Sequence, residues 1–212
     1  MSGEKALQAA IAAQKVDAEN IAGLVMADHA LIGLVLSELS NKAPQVRFAC
    51  SKSLLLLSER CPDLLYPRID GIFELLESEN QIIKWNMIAI VGNLAAVDSR
   101  CRIRSVLRKL YGFLSGGELI TANHAIRALG KIGRAFPEER ARITNRLLGI
   151  EQAVFDTAEC RNIAIGKSIL ALEMYLDAVK IQKKVLKFAR NQISNSRKAT
   201  AAKARAFLRK YQ

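Results

Sequence analysis

The chain of 212 residues carries 32 lysines and arginines against 20 aspartates and glutamates, a net charge of +12, and half of it is apolar with 6% aromatic residues. That apolar content excludes a disordered chain, and 12 glycines with 4 prolines exclude collagen-like or linker-dominated sequence. Few aromatics, few turn residues and much Leu, Ile and Ala argue against an all-β sandwich or barrel.

The N-terminal segment carries Glu4, Lys5 and Lys15 and has no sustained apolar core, so it does not read as a secretory signal. The most apolar stretch, Ile21 to Leu36, is shorter than a membrane span and is interrupted by Asp28 and His29, which reads as core helix rather than transmembrane segment. The helical patterns then run Glu4–Lys15, Ala18–Ala27, Asp28–Leu39, Asp63–Leu76, Arg102–Leu114, Glu138–Ala153 and Ala178–Ile193. Pro62 suits a first helical turn, Pro67 must kink or restart its helix, and Pro137 ends the helix before it.

Between these patterns lies a second set of helices that repeats. Each is marked by an anchor and two further positions at intervals of three: Arg47-x-x-Cys50-x-x-Ser53, Lys84-x-x-Met87-x-x-Ile90, Ala122-x-x-Ala125-x-x-Ala128, Arg161-x-x-Ala164-x-x-Lys167 and Lys198-x-x-Ala201-x-x-Ala204. The anchors are 37, 38, 39 and 37 residues apart, and Lys167 breaks the pattern where a small residue is expected. Turn chemistry precedes each one, with Asp156 and Glu159 at capping-box spacing in the fourth. Gly92 and Gly130 stand eight residues after their anchors, where a missing side chain lets a neighbouring helix approach. One helix pair cannot cover its own apolar faces, but stacked pairs cover one another.

The segments Tyr66-Pro67-Arg68-Ile69, Gln45-Val46-Arg47-x-x-Cys50 and Ala125-x-x-Ala128-Leu129-Gly130 resemble the first and second helices of HEAT and armadillo repeats. The resemblance implies an all-α, right-handed α-α superhelix, a solenoid of about five helix pairs. It also implies a macromolecular-binding scaffold. Residues 1–27 read as N-terminal capping helices, and 28–212 as one continuous HEAT-like domain ending in the basic pair 178–212.

The charge is concentrated. Residues 1–177 hold 21 basic and 20 acidic side chains, whereas 178–212 hold 11 basic and none acidic. Lys180, Lys183, Lys184, Lys187 and Arg190 form one helical stripe, with Ile181, Val185 and Phe188 on another. In the last helix Lys198, Arg205 and Arg209 oppose an apolar seam of Ala201, Ala204, Leu208 and Tyr211. A second acid-free cluster comprises Arg100, Arg102, Arg104, Arg108 and Lys109. The basic pair reads either as a solubilising cap or as a surface for an anionic partner.

No sequence feature carries catalysis. Neither His29 nor His124 is followed by Glu, and no phosphate loop, dinucleotide fingerprint, nucleophile elbow or zinc-protease motif occurs. Cys50, Cys61, Cys101 and Cys160 are too far apart for a C-x-x-C site; Cys50 and Cys160 read as core residues, and Cys61 and Cys101 flank turns. No catalytic, cofactor or metal residues are assigned, and no cofactor is expected. The expectation is a non-catalytic cytoplasmic scaffold that binds another protein, one with an acidic surface, through its concave helix ladder. Arg47, Lys84, Trp85, Asn123, Arg127 and Arg161 are the candidate contacts, although some anchors could instead tie adjacent turns together. The alternative is binding of nucleic acid, DNA above all, through the basic C-terminal pair and the Arg100–Lys109 cluster.

Overall fold

A computed structural model describes residues 3–176 and 182–211 and divides the chain into two compact units, residues 1–99 and 100–212. Among the described residues the regular structure is helical, apart from one isolated bridge between Gly117 and Phe155.

The first unit contains α1 (Gly3–Ala12), α2 (Ala18–Ala27), α3 (Ile32–Ser37), α4 (Pro44–Arg60), α5 (Pro62–Leu65), α6 (Ile69–Glu74) and α7 (Gln81–Leu94). Its two outer segments are segmented rather than continuous. Asp28 ends α2 and accepts a hydrogen bond from the Ala30 N–H, which starts a short 3-10 turn before α3, so the apolar stretch Ile21 to Leu36 is two elements. Pro67 does what its missing N–H requires: α5 stops at Leu65, a 3-10 turn covers Tyr66–Arg68, and α6 restarts at Ile69. Pro44 and Pro62 occupy first-turn positions.

The longer helices α2, α4 and α7 pack in succession into a ladder. Val46, Cys50, Leu54 and Leu57 of α4 and Ile83, Met87, Ile90 and Val91 of α7 are almost wholly buried. Each such side chain contributes roughly 1.5–3 kcal/mol by leaving water. Two polar rungs fix the register. Asn86 donates to Ser51 at 2.8 Å and Asn93 donates to Ser58 at 2.7 Å, the two rungs lying seven residues apart on each helix. Sliding α4 against α7 would strand these half-buried and buried amides.

The second unit contains α8 (Leu107–Gly112), α9 (Leu119–Ala135), α10 (Arg140–Leu148), α11 (Ala158–Glu173), α12 (Gln182–Asn191) and α13 (Lys198–Tyr211). Here α9, α11 and α13 form the ladder, with α10 against α9 and α11, and α12 against α13. Pro137 terminates α9 as its chemistry demands, and Arg140 donates to the Gly133 and Arg134 carbonyls at that end. The N-cap of α11 is Thr157, which accepts from the Cys160 N–H at 3.1 Å. Asp156 is therefore not the cap, and Glu159 is drawn instead to Arg197 at 2.7 Å.

Glycine sets the α9–α11 crossing. A methyl group on Gly130 would stand 2.8 Å from the Met174 sulfur and 3.0 Å from the Ala171 Cα, and one on Gly133 would meet the Tyr175 ring at 2.7 Å. The small positions predicted three and six residues after each anchor are buried, from Cys50 and Ser53 through Ala201 and Ala204. Lys167 is the exception and is exposed. Val185 and Phe188 of α12 are buried, and the Tyr211 ring packs on Phe207 with centroids 4.9 Å apart. Lys180 and Ile181 lie outside the described residues. All four cysteines are free; Cys50 is buried, whereas Cys160 is only half-buried and is not a core residue.

Candidate functional site

Numbering each ladder helix from its first residue exposes a common stripe. Positions two, five and nine stay outside the core: Gln45, Phe48 and Lys52 on α4; Ile82, Trp85 and Ala89 on α7; Ile120, Asn123 and Arg127 on α9. Spacings of three and four put each trio on one helix face. On α11 the stripe runs one residue later, through Ile163, Lys167 and Leu170. On α4, α7, α9 and α11 the anchors stand at position four, beside the stripe, whereas Lys198 is the first residue of α13.

That offset separates the predicted contacts. Arg47 turns back to the loop before its helix, donating to the Asn41 carbonyl at 2.7 Å and the Lys42 carbonyl at 3.1 Å, so it ties the turn. Lys84 is half-buried and Arg161 is exposed at the start of α11. Trp85, Asn123 and Arg127 do lie on the stripe.

The stripes of the two units differ in chemistry. In the first unit Lys52 is the one charge among the named stripe residues, and at the end of α4 Arg60 grips both Glu19 carboxylate oxygens of α2 at 2.7 and 2.8 Å, hydrogen bonding that holds the Glu19 carboxyl below its ordinary pKa. Phe48, Ile82 and Trp85 give the remainder an apolar and aromatic character.

In the second unit the stripe is cationic and contains a cavity. A pocket of about 240 Å³ between α9 and α11 is lined by Asn123, Ile126, Arg127, Lys167, Leu170, Ala171 and Met174. Its floor follows from the tight crossing at Gly130, because Ala171 and Met174 are the groups pressed against that glycine. Leu170 is 39% exposed, an apolar side chain left at the rim. The Asn123 Oδ1 is buried, and no donor among the described residues reaches it. A buried carbonyl oxygen without a donor forfeits its hydration for no return.

The electrostatics agree. Burial, then the charges of Arg127 and Lys167, hold the His124 imidazole below its ordinary pKa. Burial, then Lys167 and Arg197, pull the Lys203 ammonium down likewise. Lys203 reaches from α13 back over α11, with its Nζ 3.5 Å from where a Gly166 methyl would stand. Lys167 is thus the link between two groups that each feel excess positive charge. Lys167, Lys203, His124 and Leu170 were absent from the sequence-derived set. The signal for Lys167 was present: it is the residue that breaks the small-residue pattern.

The other predicted cations are more dispersed. Arg100 and Arg108 are exposed, and Arg102 and Lys109 are half-buried. Arg104 is engaged by Glu138, with Glu139 at 3.6 Å. On α12, Lys183, Lys184, Lys187 and Arg190 are exposed; on α13, Lys198 and Arg209 are exposed, while Arg205 donates to the Ile193 carbonyl at 2.9 Å.

A second cavity of about 250 Å³ lies between α8 and α10, lined in part by Tyr111, Asn145, Arg146 and Ile150. The guanidinium groups of Arg142 and Arg146 lie 5.7 and 5.4 Å from the Tyr111 ring centre, and the buried Tyr111 hydroxyl has no partner among the described residues. Among the described residues, no group of three His, Cys, Asp or Glu side chains could hold a metal ion. No described helix is long and apolar enough to cross a membrane.

The fold is all-α and of the armadillo-like superhelical class. A designed armadillo repeat protein matches over 91% of this chain and 86% of its own, with a TM-score of 0.63 and 14% identity. Computationally designed armadillo repeats for modular peptide recognition match over 94% of this chain and 89% of their own, with a TM-score of 0.60 and 15% identity. A third designed armadillo protein, in complex with a (KR)4 peptide, matches over 99% of this chain and 92% of its own, at a TM-score of 0.63 and 14% identity. No protein-family model and no curated protein matches the sequence.

Proposed function

We propose that this chain is a non-catalytic helical-repeat scaffold that binds another protein through the unburied stripe of its ladder helices. The observation that carries the reading is the pocket between α9 and α11, where a buried acceptor without a donor, an apolar floor and a cationic rim converge on the stripe. Packed ladder helices within one unit present such groups at set spacing, and a preorganised surface lowers the cost of binding an extended partner segment.

The designed neighbour in complex with (KR)4 supports peptide binding by this architecture. Its ligand is basic, whereas Arg127, Lys167 and Lys203 make the α9–α11–α13 face here basic. The partner segment is therefore of opposite sign to that ligand. Nucleic acid has less support: Arg104 and Arg205, two of the cations that reading depends on, already have partners within the chain.

Selection of random linear peptides against the full chain tests the reading. Enrichment of peptides whose binding is lost in a Trp85→Ala variant or in an Asn123→Ala, Arg127→Ala variant is the expected result. Failure to enrich any peptide, or binding indifferent to those changes, overturns it.

A further inference from the structure

We infer that the α9–α11–α13 face takes an acidic peptide segment that inserts one apolar side chain into the pocket and sets flanking carboxylates on Arg127, Lys167 and Lys203. This inference rests on the scaffold reading and names its ligand.

Size comes first. A cavity of about 240 Å³ falls below the roughly 300–1,000 Å³ typical of small-molecule sites. It is on the scale of one side chain. Its floor of Ile126, Ala171 and Met174 is apolar, and Met174 is unbranched and able to reshape around an entering group. Insertion there would cover Leu170, an exposed apolar residue that the fold leaves in water.

Charge comes second. Arg127 and Lys167 are exposed on adjacent ladder helices, and Lys203 leans toward them from the third. Their like charges repel one another in the free protein; after burial, the larger cause, Arg127 and Lys167 lower the proton affinity of His124, and Lys167 lowers that of Lys203. Carboxylates placed among them relieve that repulsion, so association gains both a new attraction and the removal of an old penalty. Arg197, the remaining cation acting on Lys203, is already satisfied by Glu159.

The hydrogen-bonding geometry comes third. The Asn123 side chain lines the pocket, and no donor among the described residues reaches its buried Oδ1. A peptide main-chain N–H is the donor that an inserting residue brings with it. A nucleic acid would bring phosphates to the rim, but the pocket lining offers no aromatic ring for a base to stack on.

The test is fluorescence anisotropy with the full chain and labelled peptides about a dozen residues long. One peptide alternates short Asp/Glu runs with single leucines; a second replaces leucine by serine; a third replaces the acids by lysine; a single-stranded oligonucleotide of equal charge is the fourth probe. The acidic leucine peptide is expected to bind, the serine version about tenfold more weakly, and the lysine version not at all. Because Arg127 and Lys167 are exposed, Arg127→Glu with Lys167→Glu is expected to retain the fold by circular dichroism and to weaken the first peptide at least tenfold. Leu170→Ser is expected to narrow the gap between leucine and serine peptides without removing the charge preference. Equal binding of leucine and serine peptides, binding of the lysine peptide, indifference to the double reversal, or tighter binding of the oligonucleotide would each overturn the inference. In each of these cases the scaffold reading stands if other selected peptides still depend on Trp85 or on Asn123 and Arg127.

Discussion

Gly130→Ala should destabilise the second unit, although alanine is the better helix former. In isolation the substitution gains about 1 kcal/mol of helix propensity. The new methyl, however, stands 2.8 Å from the Met174 sulfur and 3.0 Å from both the Cα and Cβ of Ala171. Favourable carbon contacts lie near 3.5–4.0 Å, so the clash amounts to roughly 0.5–1 Å. The sulfur sits on a flexible side chain, but the Ala171 Cα is backbone, so relief requires α9 and α11 to separate. Overpacking of this kind costs about 1–3 kcal/mol. The helix gain offsets only part of it, leaving a net loss of about 1 kcal/mol at the middle of that range. Gly23→Ala is the internal control: Gly23 lies mid-helix in α2 with nothing within 4 Å of an added methyl. It should stabilise by about 0.5–1 kcal/mol. Urea unfolding followed by far-UV circular dichroism measures both, fitted with separate transitions if the two units unfold separately. Equal stabilisation by the two substitutions would refute the crossing geometry.

Three further outcomes follow from buried polar groups and from charge. Tyr111→Phe should be neutral or stabilising by about 1 kcal/mol, because it removes a buried hydroxyl with no partner among the described residues while keeping the ring beneath Arg142 and Arg146; a loss above that size in urea unfolding would mean that the hydroxyl is bonded. A double-mutant cycle on Asn93→Ala and Ser58→Ala should give a coupling of about 1 kcal/mol, since the 2.7 Å bond between them is a buried rung from α7 to α4; additive effects would remove the rung. His124, with its folded pKa held below the unfolded value by burial and by Arg127 and Lys167, binds its proton more readily in the unfolded chain. Its contribution is present above pH about 6.5 and is lost as the pH falls through the depressed folded value. His124→Gln should therefore flatten the loss of stability on acidification below that point, and a parallel decline in both proteins would contradict it.

Much of the fold was legible because its determinants are local. Prolines at 44, 62, 67 and 137 act on the backbone directly, and each lies at a helix start, restart or end, as its chemistry requires. The buried small positions recur because neighbouring ladder helices approach closely wherever they occur. What stayed hidden depends on tertiary register. On α4, α7 and α9 the anchors fall at the fourth helical position, but the unburied stripe is defined by packing and falls at the second, fifth and ninth. Arg47 therefore became a turn clasp, while Lys167, discounted as a flaw in the repeat, stands at the centre of the cationic face. Lys203 could not be tied to it from sequence, since their proximity comes from α11 and α13 packing together. Similarly, Thr157 rather than Asp156 caps α11, a choice settled by backbone geometry within a run of capping-competent residues.

The most direct measurement is the mapping of backbone and side-chain amide shifts of the full chain on titration with the acidic leucine peptide. The account predicts that the largest changes fall on the face formed by α9, α11 and Lys203 of α13, with the Asn123 side-chain amide among them and the His124 imidazole pKa rising as carboxylates arrive. Changes confined to α8, α10 or α12, with Asn123, Lys167 and Leu170 undisturbed at saturation, would contradict it.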